Sequence, residues 1–239
     1  MKKFNRYFNK HYWLRKFLLS KISNLFFSDK THRKAIFRHI FSSNHWRDYN
    51  KPDENESVSG KGSDLRSTKI ISEELIIFFK SKKIKRILDV GCGDFLWMKS
   101  VLAKFSEYDC YLGLDIVPEL IDQNKKKFSN DKINFNNFDI VIDELPNGFD
   151  IILIRDVFIH LNNKSINHSI QKLLKNDAKF IGITSTPSIK NNKDLKKEGR
   201  YRDVNIETEP FNLKSPLLCL SDNEVNGENK DFLNIYKNK

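Results

Sequence analysis

Cysteine is sparse and patternless. The chain has three, Cys92, Cys110 and Cys219, an odd number without metal-ligand spacing, which excludes a disulfide framework and fits a reducing, intracellular compartment. Long hydrophobic runs are missing as well. No stretch of about 18 apolar residues occurs, and the first residues carry charges where a signal peptide needs an apolar core, so the expected location is cytoplasmic. No internal repeat is visible. Most of the chain also lacks a surplus of either charge, although the total is +11. Residues 1–50 hold twelve lysines and arginines against Asp29 and Asp48, leaving 30 basic and 29 acidic side chains for the other 189 residues. The basic character therefore belongs to the N-terminal segment.

What the chain does carry is one organising stretch, Arg86-Ile87-Leu88-Asp89-Val90-Gly91-Cys92-Gly93-Asp94-Phe95. Ile87, Leu88 and Val90 read as a short buried strand, and Trp97, Val101 and Phe105 open a helix at four-residue spacing. Between them, Gly91 and Gly93 let the backbone turn sharply and let a ligand approach it closely. The N–H groups at the helix start favour polar or anionic ligand groups. A dinucleotide fingerprint would want a third glycine at position 96, where this chain has Leu96, and no Gly-Lys-Ser/Thr appears, so a triphosphate cradle is unsupported. Cys110–Asp115 reads as a second buried strand. Its terminal Asp115 stands where a nucleoside-binding α/β fold puts the carboxylate for its ribose hydroxyls.

Strand and helix patterns then alternate from residue 65 to 185. A helix through Leu65, Ile71, Leu75 and Phe79 precedes the central strand, and one through Leu120, Ile121 and Phe128 follows the second. Ile133–Asn137 is a third strand, with Asp139 just past it. Asp150–Arg155 is apolar enough to be buried on both faces and delivers Arg155, Asp156 and His160 to the crevice above the strand ends. A helix capped by Asn162 or Asn163 turns Ile166, Ile170, Leu173 and Leu174 inward, and Lys179–Thr184 is the fifth strand. This order specifies an α/β fold with a doubly wound, mostly parallel sheet. Beyond it, residues 188–200 form a polar, lysine-rich loop expected to be mobile, and Phe232–Tyr236 alternates like a closing antiparallel edge strand.

Upstream, Trp46–Thr68 is a loop by composition, expected to fold over the ligand site with backbone amides at Gly60 and Gly62. Residues 1–45 form a basic helical extension to a domain spanning 46–239. Phe4–Phe26 patterns as a basic amphipathic helix and Arg33–Phe41 as a second, shorter one. The extension can rest on anionic lipid at the inner face of the membrane, touch nucleic acid or pack on its own domain.

Five segments in order resemble the class I S-adenosylmethionine-dependent methyltransferases, in particular a bacterial group associated with polysaccharide biosynthesis. They are Ser57–Ser63 (Ser-x-Ser-Gly-x-Gly-Ser), Gly91–Met98 (Gly-Cys-Gly-Asp-Phe-x-Trp-Met), Asp115–Ile121, Arg155–Leu161 (Arg-Asp-x-x-x-His-Leu) and Pro210–Leu213. The resemblance implies S-adenosylmethionine as cofactor, no metal, and a Rossmann-like fold. It assigns the cofactor to Asp89, Gly91, Gly93, Asp115, Ile116 and Arg155, with Gly60 and Gly62 above and Asp139 accepting from the adenine amino group. Methyl transfer then rests on holding donor and acceptor in near-attack geometry. His160 is the candidate base for a hydroxyl acceptor, Asp156 orients it or binds a sugar hydroxyl, and Trp97 and Arg202 are expected to face the substrate.

The acceptor so implied is a sugar of a surface glycan or its precursor, or another small molecule. Two alternatives stand beside it: an RNA or protein methyltransferase, suggested by the basic N-terminus, and a non-catalytic S-adenosylmethionine-binding module. The fourth strand ends in Asp156-Val157-Phe158 and lacks the Asn/Asp-Pro-Pro-aromatic motif of exocyclic-amine methyltransferases. Nucleic acid is therefore not the expected partner.

Overall fold

A computed structural model of the chain describes residues 29–46, 55–225 and 228–239. The amphipathic helix expected over Phe4–Phe26 lies outside them. In chain order the elements are α1 (Asp29–Ser42), α2 (Lys69–Ser81), β1 (Arg86–Val90), α3 (Leu96–Lys104), β2 (Cys110–Asp115), α4 (Pro118–Phe128) and β3 (Ile133–Asn137). There follow β4 (Ile151–Ile154), α5 (Asn163–Lys175), β5 (Phe180–Ser185), β6 (Leu218–Val225) and β7 (Glu228–Lys237), with short 3-10 turns at Lys61–Ser63 and Phe158–His160.

The seven strands form one sheet in the order β3-β2-β1-β4-β5-β7-β6. The first five are parallel, and β7 and β6 are antiparallel to their neighbours. The order reverses between β1 and β4, the switch point at which open α/β sheets bind ligands.

Alternation along the strands feeds two cores, one on each face. Ile151 and Leu153 of β4 join Ile71, Leu75, Met98 and Val101 on the α2–α3 face. Ile152 and Ile154 join Ile166, Ile170 and Leu173 on the α5 face. Both faces are covered, which is why β4 is an unbroken apolar run. At the start of α5 the cap is Asn162, whose side chain accepts from the Ser165 amide at 2.8 Å. Leu174, expected inward, is 41% exposed because it falls off the stripe set by Ile166, Ile170 and Leu173.

Two further expectations are corrected. Phe232–Tyr236 lies within β7, which pairs with β5 on one side and β6 on the other, so β6 is the edge. Alternation reports faces, not neighbours, and could not show the pairing with Leu218–Val225; the second face is covered too, with Asn234 and Tyr236 buried alongside Leu233 and Ile235. The 188–200 loop is anchored despite its lysines. Asn192 Nδ2 donates to the Asn205 carbonyl at 2.8 Å, and the Gly199 amide donates to the His160 carbonyl at 2.9 Å.

Truncating the centre of the sheet tests this two-faced burial. Leu153→Ala should cost about 2–5 kcal/mol in urea unfolding followed by circular dichroism. A loss below about 1 kcal/mol would contradict full packing at that position.

Candidate active site

The carboxyl ends of the five parallel strands open into a cavity of about 650 Å³. Gly91 and Gly93 follow β1, Asp115 and Ile116 close β2, Asp139 follows β3, Arg155 and Asp156 follow β4, and Thr184 lies near the end of β5. Segments from outside the sheet complete the wall: Arg33, Phe37 and Phe41 from α1, then Trp46, then Val58–Ser63, with Tyr201, Asp203 and Asp231 at the far end. α1 thus contributes to the cavity although it precedes residue 46.

The glycine turn is tight on both sides. Gly91 and Gly93 have φ of +81° and +55°, and added Cβ atoms would lie 2.2 Å from Val157 Cγ2 and 2.4 Å from Ser59 Oγ. Asp94 locks the serine loop onto the turn. Its two carboxylate oxygens each lie 3.0 Å from the Ser57 hydroxyl, which donates, and its Oδ2 accepts from the Val58 amide at 2.8 Å. The Asp94 amide in turn donates to Ser59 Oγ at 3.1 Å. This docking brings Gly60 and Gly62 to the cavity wall.

Asp115 is fixed by backbone. Its Oδ2 accepts from the Gly93 amide at 3.1 Å and its Oδ1 from the Val117 amide at 3.0 Å. Burial pushes its carboxyl up, and these N–H groups pull it back. Asp139 is presented by a turn in which its Oδ1 accepts from the Val141 amide at 3.0 Å and its Oδ2 pairs with Arg33 at 2.8 Å.

Arg155 is a buried strut. Its Nε and Nη2 bind the Asp222 carboxylate at 2.8 and 2.7 Å, Nη2 also donates to the Gly62 carbonyl at 2.7 Å, and Nη1 pairs with Asp156 at 3.2 Å. The guanidinium lies over the Trp97 ring, 5.1 Å from its centroid. Burial alone would lower its pKa, but Asp156 and Asp222 more than reverse that and hold it charged. Arg155 thereby suspends the Gly62 loop from the sheet.

His160 ends the 3-10 turn after β4. Its Nδ1 is 3.1 Å from the Arg200 carbonyl, an acceptor, so the neutral ring carries its hydrogen on Nδ1 and leaves Nε2 with a lone pair. The ring stacks on Trp46, with centroids 4.6 Å apart and planes inclined by 21°. Burial lowers its pKa below 6.5, so it is neutral at pH 7. Asp156 lines the same wall in a left-handed conformation (φ +56°), its amide donating to Thr184 Oγ1 at 3.0 Å.

Three expected site residues do not reach the cavity. Asp89 is 2% exposed beneath the turn, where its carboxyl takes the Tyr111 hydroxyl at 2.6 Å and burial pushes its pKa up to about 7. Trp97 is 5% exposed, packed in the α2–α3 core under Arg155 rather than facing a substrate. Arg202 donates to the Leu161 carbonyl, Asn163 Oδ1 and the Lys193 carbonyl, which makes it a brace for the 193–202 segment. Conversely, Arg33, Phe37, Tyr201, Asp203 and Asp231 line the cavity unannounced. No spacing relates them to the glycine turn; the one available hint was a tryptophan, Trp46, in a polar stretch. Among the described residues no group of three His, Cys, Asp or Glu is placed to hold a metal ion.

Residues 88–180, from the glycine turn to the start of β5, match the family model described as a methyltransferase domain. This segment is similar to a methyltransferase domain. Around it the whole sheet follows the Rossmann-like fold seen in solved methyltransferase structures. The structure is similar to magnesium protoporphyrin IX methyltransferase from Synechocystis PCC 6803 with bound SAM, with a TM-score of 0.58 and 13% identity over 88% of this chain and 98% of that one. It is also similar to the methyltransferase domain of bacterial CtHen1, with a TM-score of 0.56 and 14% identity over 73% of this chain and 98% of that one. In sequence the chain is 31% identical over 113 residues to phosphoethanolamine N-methyltransferase of Plasmodium falciparum, a stretch covering 46% of this chain and 40% of that protein. The chain thus spans well under half of that curated relative.

The cavity depends on its roof, and the strut is the place to test it. Asp222→Ala leaves the Arg155 guanidinium buried without its main partner and should destabilise the protein by about 3–5 kcal/mol. Thermal and urea unfolding measure this, and an unchanged midpoint would mean that water replaces the carboxylate there.

Proposed function

We propose that this chain transfers a methyl group from S-adenosylmethionine to a hydroxyl on a sugar of a bacterial surface glycan or of its precursor. The observation that carries the reading is His160: a neutral imidazole, oriented by the Arg200 carbonyl, in the wall of a cavity built on a glycine cradle. The residues present fit the cofactor. The cavity volume, about 650 Å³, suits a small ligand, and the backbone of Gly91 and Gly93 forms part of its wall. Each Asp115 oxygen accepts one backbone bond and keeps a lone pair for a vicinal diol. Asp139 offers acceptors to a purine amino group, Ile116 an apolar wall, and Gly60 and Gly62 the roof.

Bound S-adenosylmethionine supplies an electrophilic sulfonium methyl, so the protein's task is chiefly alignment. His160 Nε2 takes the proton of the acceptor hydroxyl. The carboxylates of Asp156, Asp203 and Asp231 accept from further sugar hydroxyls, and the Trp46 and Phe37 rings offer apolar faces to the sugar's C–H groups. This polar, aromatic-edged end of the cavity favours a sugar over an extended polyanion. Peripheral contact with anionic lipid falls to residues before α1, because Arg33, Lys34 and Arg38 are engaged with Asp139, Asn137 and Glu119.

Turnover to S-adenosylhomocysteine, assayed with nucleotide-linked and lipid-linked sugars beside RNA and protein, is the deciding experiment. Methylation of RNA or protein and of no sugar would replace the glycan assignment, and no turnover on any acceptor would favour a binding module. Asp115→Ala should weaken cofactor binding about tenfold or more in calorimetry, and unchanged affinity would remove it from the ribose role. His160→Gln should lower turnover more than cofactor affinity. Because burial holds the His160 pKa below 6.5, wild-type activity should persist down to that pH and fall as pH drops through the lowered value, and the variant should lose this acid limb. Stability follows the same sign: the neutral buried ring contributes fully above the unfolded value and less as pH falls below it.

A further inference from the structure

α1 lies outside the segment that matches the methyltransferase family, yet it sets a buried cation into the cavity wall. Arg33 is 5% exposed. Its Nη1 pairs with Asp139 at 2.8 Å, its Nε with Glu198 at 2.8 Å, and its Nη2 reaches Ser165 Oγ at 3.4 Å. Glu198 is itself held at the start of α5, accepting from the Ser165 hydroxyl at 2.6 Å and from Asn162 Nδ2 at 2.8 Å. The guanidinium is therefore gripped from two sides and cannot drift.

Accepting the proposal that the cavity takes S-adenosylmethionine with Asp139 at the base, we infer that Arg33 determines specificity by aiming the Asp139 carboxylate at the purine 6-position. The Asp139 carboxylate has two anchors, the Val141 amide on Oδ1 and Arg33 on Oδ2. With both in place its remaining lone pairs point in fixed directions. A carboxylate only accepts, so a 6-amino purine, which donates, is matched. A 6-oxo purine sets its own lone pairs against those oxygens and is rejected. Without the guanidinium one anchor remains, the carboxylate rotates, and the distinction fades. Arg33 is thus a positioning residue that acts through Asp139, supplied by a segment upstream of the methyltransferase domain.

The test is calorimetric titration with S-adenosylhomocysteine and with S-inosylhomocysteine, the same molecule carrying oxygen in place of the amino group. Wild-type protein should prefer the adenosyl ligand by about tenfold to a hundredfold. In Arg33→Met and Arg33→Gln the preference should shrink to within about threefold, mainly through lost affinity for the adenosyl ligand. A role confined to docking α1 would weaken both ligands equally and leave their ratio at the wild-type value, which would overturn the inference. Wild-type protein that binds both ligands equally would overturn it without any variant, so the outcome does not hang on how the variants fold. Failure of the cofactor reading is a separate result, in which wild-type protein binds neither.

Discussion

A buried arginine is costly to desolvate, and the architecture around the cavity is arranged to meet that cost at Arg155. Asp222 comes from β6, Asp156 from the turn after β4, the Gly62 carbonyl from the serine-glycine loop, and the Trp97 face from α3. Four separate parts of the chain are fixed relative to one another because each completes the solvation of one guanidinium. The roof over the glycine turn has a second fastening at Asp94, which receives Ser57 and Val58. Between these two points the loop carrying Gly60 and Gly62 has little freedom.

The cavity's electrostatics follow from how each acid is satisfied. Asp115 is neutralised by backbone amides, Asp139 by a cation from α1, and Asp222 by Arg155. Asp203 takes Lys230 at 3.1 Å, while Asp231 holds the Thr186 hydroxyl and, through burial and the nearby carboxylates, titrates above the usual range. The acids at both ends of the cavity are therefore held by structural partners and retain further acceptor capacity.

Much of the parallel sheet was legible in the sequence because it is written in local patterns: five short strand patterns, three of them followed by a helix period. The glycine turn, Asp115 and the serine loop were legible because backbone chemistry demands those residue types at those points. What was not legible depends on contacts between distant segments. Trp97 follows the glycine turn closely, yet its ring is turned to the core under Arg155, a decision made by residues 58 positions away and more. Arg33 is one cation among many in a basic segment, and nothing local distinguishes it from Arg38, which pairs with Glu119 at the surface. The alternation of Phe232–Tyr236 signalled a strand but could not reveal that Leu218–Val225 pairs along its outer edge and makes it an interior one.

β6 also has a place in time. During synthesis the five parallel strands and their helices emerge before it, and the core of the domain can begin to collapse on its own. Arg155 is then already committed to the end of β4 while Asp222 has yet to leave the ribosome. A nascent domain in that interval holds Arg155 with Asp156 and the Gly62 carbonyl but without the bidentate Asp222 carboxylate, so the desolvation of the guanidinium is only partly offset. Complete anchoring of Arg155 therefore arrives late, with the antiparallel hairpin, after the parallel half is in place.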